Sequence, residues 1–229
     1  ISMGTSKGYI APTRIEWSNS KRAVTQMLHD GSADSVTKAA SKFATAMKTD
    51  TVDGSVFSKA VTGILGFSRN ISDHGLNYAL NQINRSDLIG KSSPEIWNEL
   101  FNDYTNNSAT VEDALAADAL SRSLSNLDIE DPEQLINISQ EVLLKELLSN
   151  FISINFDFRY AEKIAKGRSP SEAHQIMKEM QDYIRSVTYE KLNLDDIGTV
   201  DFTKLSSSQY IDKALKEAYS TFEDLYAED

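Results

Sequence analysis

Residues 139–192 read SQEVLLKELLSNFISINFDFRYAEKIAKGRSPSEAHQIMKEMQDYIRSVTYEKL, and this stretch decides the fold. Its first half sets out Val142, Leu143, Leu147, Phe151, Ile152, Ile154, Phe158, Ala161 and Ile164 mostly three or four residues apart. That is the period at which residues share one face of an α-helix. Gly167 closes the pattern, and Ser169-Pro170-Ser171-Glu172 opens the next. A serine oxygen can accept from the exposed amides of a first turn while a glutamate three residues on reaches back to the serine N–H. Proline suits the first helical position, where its missing N–H had no partner in any case. The second half then runs to about Leu192 with Ile176, Met177, Met180, Tyr183, Ile184 and Val187 inward. Strand-like alternation is confined to Thr199-Val200-Asp201-Phe202.

Working towards the N-terminus, the same period recurs. Val111, Ala114, Leu115 and Leu120 follow a capping box at Thr110 and Asp113, and Ile96, Trp97, Leu100 and Phe101 follow the start signal Ser93-Pro94. Leu76, Ala79, Leu80 and Ile83 make a shorter set that breaks near Asp87-Leu88-Ile89-Gly90. Phe57, Ala60, Val61, Ile64, Leu65 and Phe67 make a helix over about 55–70 that contains Gly63 and Gly66. Each glycine costs roughly 1 kcal/mol of helix propensity, so close approach of a neighbour is expected to compensate. Val36, Ala39, Ala40, Phe43, Ala44 and Met47 predict a helix over 33–48; Ala23, Val24, Met27 and Leu28 predict one capped by Ser18 or Ser20 and ended by Gly31. Asp131-Pro132 repeats the start signal, and Tyr210, Ile211, Ala214, Leu215, Ala218, Phe222 and Leu225 mark a last helix over 208–226. The expectation is an all-α, multi-helix bundle of about eight to nine helices. A flexible N-terminal arm over 1–17 precedes a single helical domain over 18–229, with a candidate sub-boundary at 126–138. No fixed-period repeat points to a solenoid.

Composition narrows the chemistry. With 40% hydrophobic and 25% charged residues the chain has ordinary globular content. It has no cysteine, which removes disulfides, thiolate metal sites and cysteine nucleophiles. His29, His74 and His174 stand far apart, without the spacing of a zinc or di-iron site. No apolar run approaches the roughly 18 residues of a membrane span, and Ile1 to Gly8 lack a signal-peptide core, so a cytoplasmic location is expected. Net charge is −11, distributed as +4 over residues 1–71 and −15 over 72–229. So acidic a body repels phosphate backbones, and direct nucleic-acid binding is not expected.

No motif makes an enzyme by itself. Gly4-Thr5-Ser6-Lys7-Gly8 lacks the spacing and the preceding strand of a phosphate loop. The acidic groups Asp113/Asp118, Asp128/Glu130/Asp131 and Asp195/Asp196 fall in loops and first helical turns, where carboxylates oppose the helix dipole. Phe151, Phe156, Phe158 and Tyr160 read as core. No catalytic residue, cofactor or metal is assigned. The alternative is a helical hydrolase whose site assembles from dispersed carboxylates, Asp113 and Asp118 foremost.

Two regions carry a family resemblance. Met3-Gly4-Thr5-Ser6, followed by an arm with Gly8 and Pro12, is similar to the start of QatB proteins. Residues 87–97, DLIGKSSPEIW, and 111–120, VEDALAADAL, resemble that family's leucine-glycine step into an amphipathic helix and its acidic, alanine-rich helix. The resemblance implies an accessory subunit of bacterial anti-phage defence. It also implies partners from the same operon: an ATPase, a QueC-like deazaguanine enzyme and a TatD-like nuclease. For a chain that starts at Met3, removal of methionine before the small Gly4 exposes the Gly4 amine. A QueC-like enzyme activates a carboxylate for attack by an amine, so Gly4 is the candidate modification acceptor. Thr5, Ser6, Lys7, Gly8, Tyr9, Arg14 and Trp17 are the candidate partner-binding residues of the arm.

Overall fold

A computed structural model describes residues 14–50 and 55–226. Nine α-helices of seven or more residues occur among them: α1 (Ile15–Asp30), α2 (Ala33–Asp50), α3 (Val56–His74), α4 (Leu76–Gln82), α5 (Ser93–Tyr104), α6 (Val111–Asn126), α7 (Gln140–Ala165), α8 (Pro170–Lys191) and α9 (Ser208–Asp224). No strand occurs among the described residues; Thr199 ends a short 3₁₀ turn, Ile197–Thr199, and Val200 to Phe202 follow it as a loop.

Local chemistry sets the boundaries. Gly31 ends α1 in the left-handed region at φ 59°, its N–H bonded to the Met27 carbonyl at 2.9 Å. Ser169 and Glu172 complete the box that opens α8, and Thr110 and Asp113 do the same for α6. Three expected starts differ. Ser92, not Ser93, caps α5 with Glu95 as its reciprocal, and Ser93 instead donates to Asp131 at 2.8 Å. Neither Ser18 nor Ser20 caps α1: the helix starts at Ile15, and Ser20 is buried against the Tyr160 hydroxyl at 2.5 Å. The expected arm over 1–17 is therefore corrected at its inner end, because Ile15 to Trp17 belong to α1. Asp131-Pro132 opens only the 3₁₀ turn Pro132–Asn137.

α1 and α2 form an antiparallel hairpin, and α2 lies along α9. α6 and α8 both pack on α7, while α3 contacts α4, α5, α6, α7 and α9. α7 is buried around most of its circumference, so a single apolar stripe describes it poorly. Leu144, Leu148, Phe156 and Tyr160 are as buried as the expected Leu143, Leu147 and Ile152, whereas Val142 and Phe158 are 36% and 44% exposed. On α6 Leu120 is buried and Leu115 packs against the core as expected, but Val111 is exposed, and Asp113, Ala116, Ala119 and Leu124 complete the buried face. The small Ala116 and Ala119 let α6 settle close to its neighbours, a preference that an alanine-rich sequence hides.

One continuous core links the helices. Phe43, Phe156 and Tyr160 meet edge-on or tilted, with Trp17 against Phe43. Phe57 stacks on Phe151 at 3.9 Å, and Trp97 joins Phe67 and Phe101. Each fully buried large side chain contributes roughly 1.5–3 kcal/mol. The 126–138 segment enters this core through Ile129 and Leu135, and the Trp97 indole N–H donates to the Glu130 carbonyl at 3.0 Å. Gly63 and Gly66 are compensated by close packing. A Cβ at Gly63 would meet the Tyr104 ring at 2.6 Å, and one at Gly66 would meet the Phe202 carbonyl oxygen at 2.6 Å. No helix among the described residues is long and apolar enough to cross a membrane.

Candidate functional site

Of the arm residues singled out in the sequence, Gly4, Thr5, Ser6, Lys7, Gly8 and Tyr9 lie outside the described residues; Arg14 and Trp17 lie within them. Arg14 immediately precedes α1 in extended conformation, φ −66° and ψ 149°. Its guanidinium donates to the Thr49 carbonyl at 2.9 Å and pairs with Asp50 Oδ1 at 3.0 Å. Trp17 is 6% exposed, its indole N–H donating to Asp50 Oδ2 at 2.6 Å and its ring covered by the Arg159 guanidinium at 4.0 Å. These two residues are thus anchored on the helical body.

The acidic pair of the hydrolase alternative is not brought together. Asp113 is buried in its cap, accepting from the Thr110 N–H at 2.9 Å, while Asp118 is exposed five residues further on. Among the described residues, no group of three or more histidines and carboxylates is placed to hold a metal ion.

The fold does assemble a polar network that the sequence did not signal. Glu146 sits on α7 with 0% exposure. Its Oε1 accepts from Asn126 at 2.8 Å and Asn150 at 3.0 Å; its Oε2 accepts from the Tyr189 hydroxyl and pairs with Arg185 at 3.1 Å. Burial, and then the Glu146 carboxylate, push the Tyr189 hydroxyl up to about 12. Asp157 lies eleven residues along the same helix, about 16 Å at 1.5 Å per residue. It accepts from Gln181 at 2.7 Å and faces Arg122 at 3.9 Å, while its other oxygen is buried without a partner. Burial raises the Asp157 carboxyl above its ordinary range. A rise of about 16 Å along the helix places these two residues too far apart for an acid–base pair, even across an inserted water. Both tie α7 to α6 and α8. The only sequence signal was a glutamate standing within the apolar run of 142–148.

A concave surface lies along α9. A groove of about 490 Å³ runs between α9 and the end of α8, lined by Lys191, Asp195, Asp196, Tyr210, Lys213, Glu217 and Asp224 among others. A second of about 740 Å³ continues along the outer face of α9, sharing Lys213, Glu217 and Ser220 with the first. Tyr210 donates to Asp196 at 2.6 Å, and burial together with that carboxylate raises its hydroxyl. Asp195 and Asp196, read as capping residues in the sequence, here form a wall of an open polar groove. Open walls of mixed charge suit a protein surface better than a small molecule, which is usually enclosed by apolar walls.

The sequence model for Qat anti-phage system associated protein QatB matches residues 51–222. The match covers well over half of the chain, from the α2–α3 junction almost to the end of α9, and so takes in most of the groove. It includes residues 87–97 and 111–120, but not the arm or the α1–α2 hairpin. Neither a curated protein nor a solved structure matches the chain.

Proposed function

The chain belongs to the QatB family of Qat anti-phage system associated proteins, and on that premise we propose that it is a non-catalytic subunit of a bacterial defence assembly, acting through protein partners. The observation that carries this reading is the family match over the helical body. Two features of the body support it. The buried carboxylates Glu146, Asp113 and Asp212 are engaged within the fold, Asp212 through the Ser58 hydroxyl. The groove along α9 offers an open surface of charged side chains to a partner. The partners proposed from the family resemblance are the ATPase, the QueC-like enzyme and the TatD-like nuclease of the same operon.

Substituting Asp195→Lys with Glu217→Lys reverses the groove's acidic wall at two exposed positions. Co-purification from cells carrying the complete operon is expected to recover at least one operon protein with the wild-type chain and to lose it with this variant. Undiminished recovery by a folded double variant would remove the groove from the reading.

The finer part of the proposal concerns Gly4 of a chain that starts at Met3 and has lost that methionine, so that Gly4 carries the terminal amine. Its amine attacks the acyl carbon of a deazaguanine carboxylate that the QueC-like partner has activated with a nucleoside triphosphate. An amide bond forms, the activating group leaves with the bonding electrons of the acyl–oxygen bond, and the amine gives up its proton. Intact-mass measurement of the chain, with and without the active partner, tests this step. An adduct that depends on the partner supports it, and an unchanged mass overturns it.

A further inference from the structure

We propose that the groove between α9 and the end of α8 receives a basic segment of the protein partner, which sets lysine or arginine side chains against the groove's carboxylates. The proposal rests on the groove reading above and adds to it the chemistry of the occupant.

The walls supply the first reason. Asp195, Asp196, Glu217 and Asp224 stand with Lys191 and Lys213 around the groove, four carboxylates against two ammonium groups. Lys213 lies 4.0 Å from Glu217 and is 68% exposed, so solvent screens that pair. Asp196 is engaged by the Tyr210 hydroxyl, a neutral donor that leaves the carboxylate's charge in place. Between the acids, the buried Leu192, Leu194 and Ala214 give the groove an apolar floor. An acidic rim over an apolar floor fits a lysine or arginine, with its aliphatic stem on the floor and its charged head at the rim.

The second reason is where α9 puts its acids. The C-terminus of a helix is the negative end of its dipole, which favours cations and disfavours carboxylates. Lys191, in the last turn of α8, balances that helix end. The last turn of α9 holds Glu223 and Asp224 and no basic residue. Glu223 is paired with Lys48 at 2.6 Å. Asp224 is exposed in the groove and makes no ion pair among the described residues. A carboxylate at the unfavourable end of a helix gains from a cation brought by a partner. Glu217 and Asp224 are seven residues apart, two turns and about 10.5 Å along one face of α9, which sets the spacing for the partner's cations. Charge matching of this kind steers docking and fixes its register.

The test uses the affinity-tagged full chain in cells carrying the complete operon. It reads the sodium chloride concentration that releases half of the co-purified partner. Three variants, all altered at exposed positions, are compared with wild type. Asp195→Asn with Asp224→Asn removes two negative charges from the groove, and Lys191→Gln with Lys213→Gln removes its two positive ones. Glu179→Gln with Asp182→Asn removes two negative charges from α8 outside the groove. The first is expected to weaken binding about three- to tenfold and to release the partner at lower salt. The second is expected to hold the partner to higher salt, and the third to match wild type. Asp195→Asn alone serves where the first double variant does not fold. Reversed signs for the first two variants identify an acidic occupant and overturn the proposal. Equal weakening by the third assigns the effect to overall charge and also overturns it. A partner held equally by every variant docks elsewhere, which overturns the groove as its seat and leaves the family-based reading standing. Recovery of no operon protein with the wild-type chain overturns that reading, and this proposal falls with it.

Discussion

Gly66 lies against the backbone of Phe202, so an added methyl group meets a carbonyl that cannot rotate away. Gly63 faces the Tyr104 ring, which can shift a little. Gly66→Ala should therefore destabilise by about 1–3 kcal/mol despite its gain in helix propensity, and Gly63→Ala by less. Urea unfolding of the two variants checks the order. The opposite sign is expected at Ser108, one of three consecutive residues, Asn106, Asn107 and Ser108, with φ near +50°. Asparagine tolerates that region better than serine does, so Ser108→Gly should stabilise by roughly 0.5–1 kcal/mol, seen as a higher thermal midpoint. Asp157 adds a pH dependence. A carboxyl raised by burial favours folding while protonated and loses that contribution as pH climbs above its unfolded value of 3.8. The stability of Asp157→Asn relative to wild type should accordingly improve between pH 3 and pH 6; a flat difference would contradict the assignment. The two glycines were conspicuous in the sequence because they interrupt a helical period. Asp157 was not, because its desolvation depends on how other helices pack over it, with Gln181 and Arg122 offsetting part of that burial.

At the scale of elements, caps and breaks were the most legible features. Ser-Pro and capping-box signals act between residues three apart and need no tertiary knowledge, which is why α6 and α8 start where the sequence places them. Ser169→Ala should cost about 1 kcal/mol, measurable as a shift in urea midpoint at constant slope. Side-chain facing was less legible. On α6 the leucines Leu115 and Leu120 were legible, but which of its alanines are buried depends on the neighbours they approach, and α7 is enclosed on most sides, so one period did not describe either helix in full. The Glu146 network gives this point an energetic form. Glu146→Leu removes an acceptor shared by Asn126, Asn150 and Tyr189 and should cost about 2–4 kcal/mol. Glu146→Gln keeps the shape and one acceptor oxygen and should cost less. Equal losses would show that the charge paired with Arg185, not the hydrogen bonds from Asn126 and Asn150, holds the network together.

For the whole molecule, the all-α class was carried by composition and periodicity, whereas the groove along α9 was not. Asp195 and Asp196 look like ordinary loop acids until α9 folds back beside the end of α8. The groove arises from long-range packing that no local pattern encodes. The central claim is that this QatB-family chain works by engaging other proteins of its defence system. Its most direct test is the native mass of the affinity-tagged chain isolated from cells expressing the intact operon. The account predicts a discrete complex that contains at least one other operon protein and dissociates in the Asp195→Lys, Glu217→Lys variant. A chain recovered only by itself, from cells that nevertheless resist phage, would contradict it.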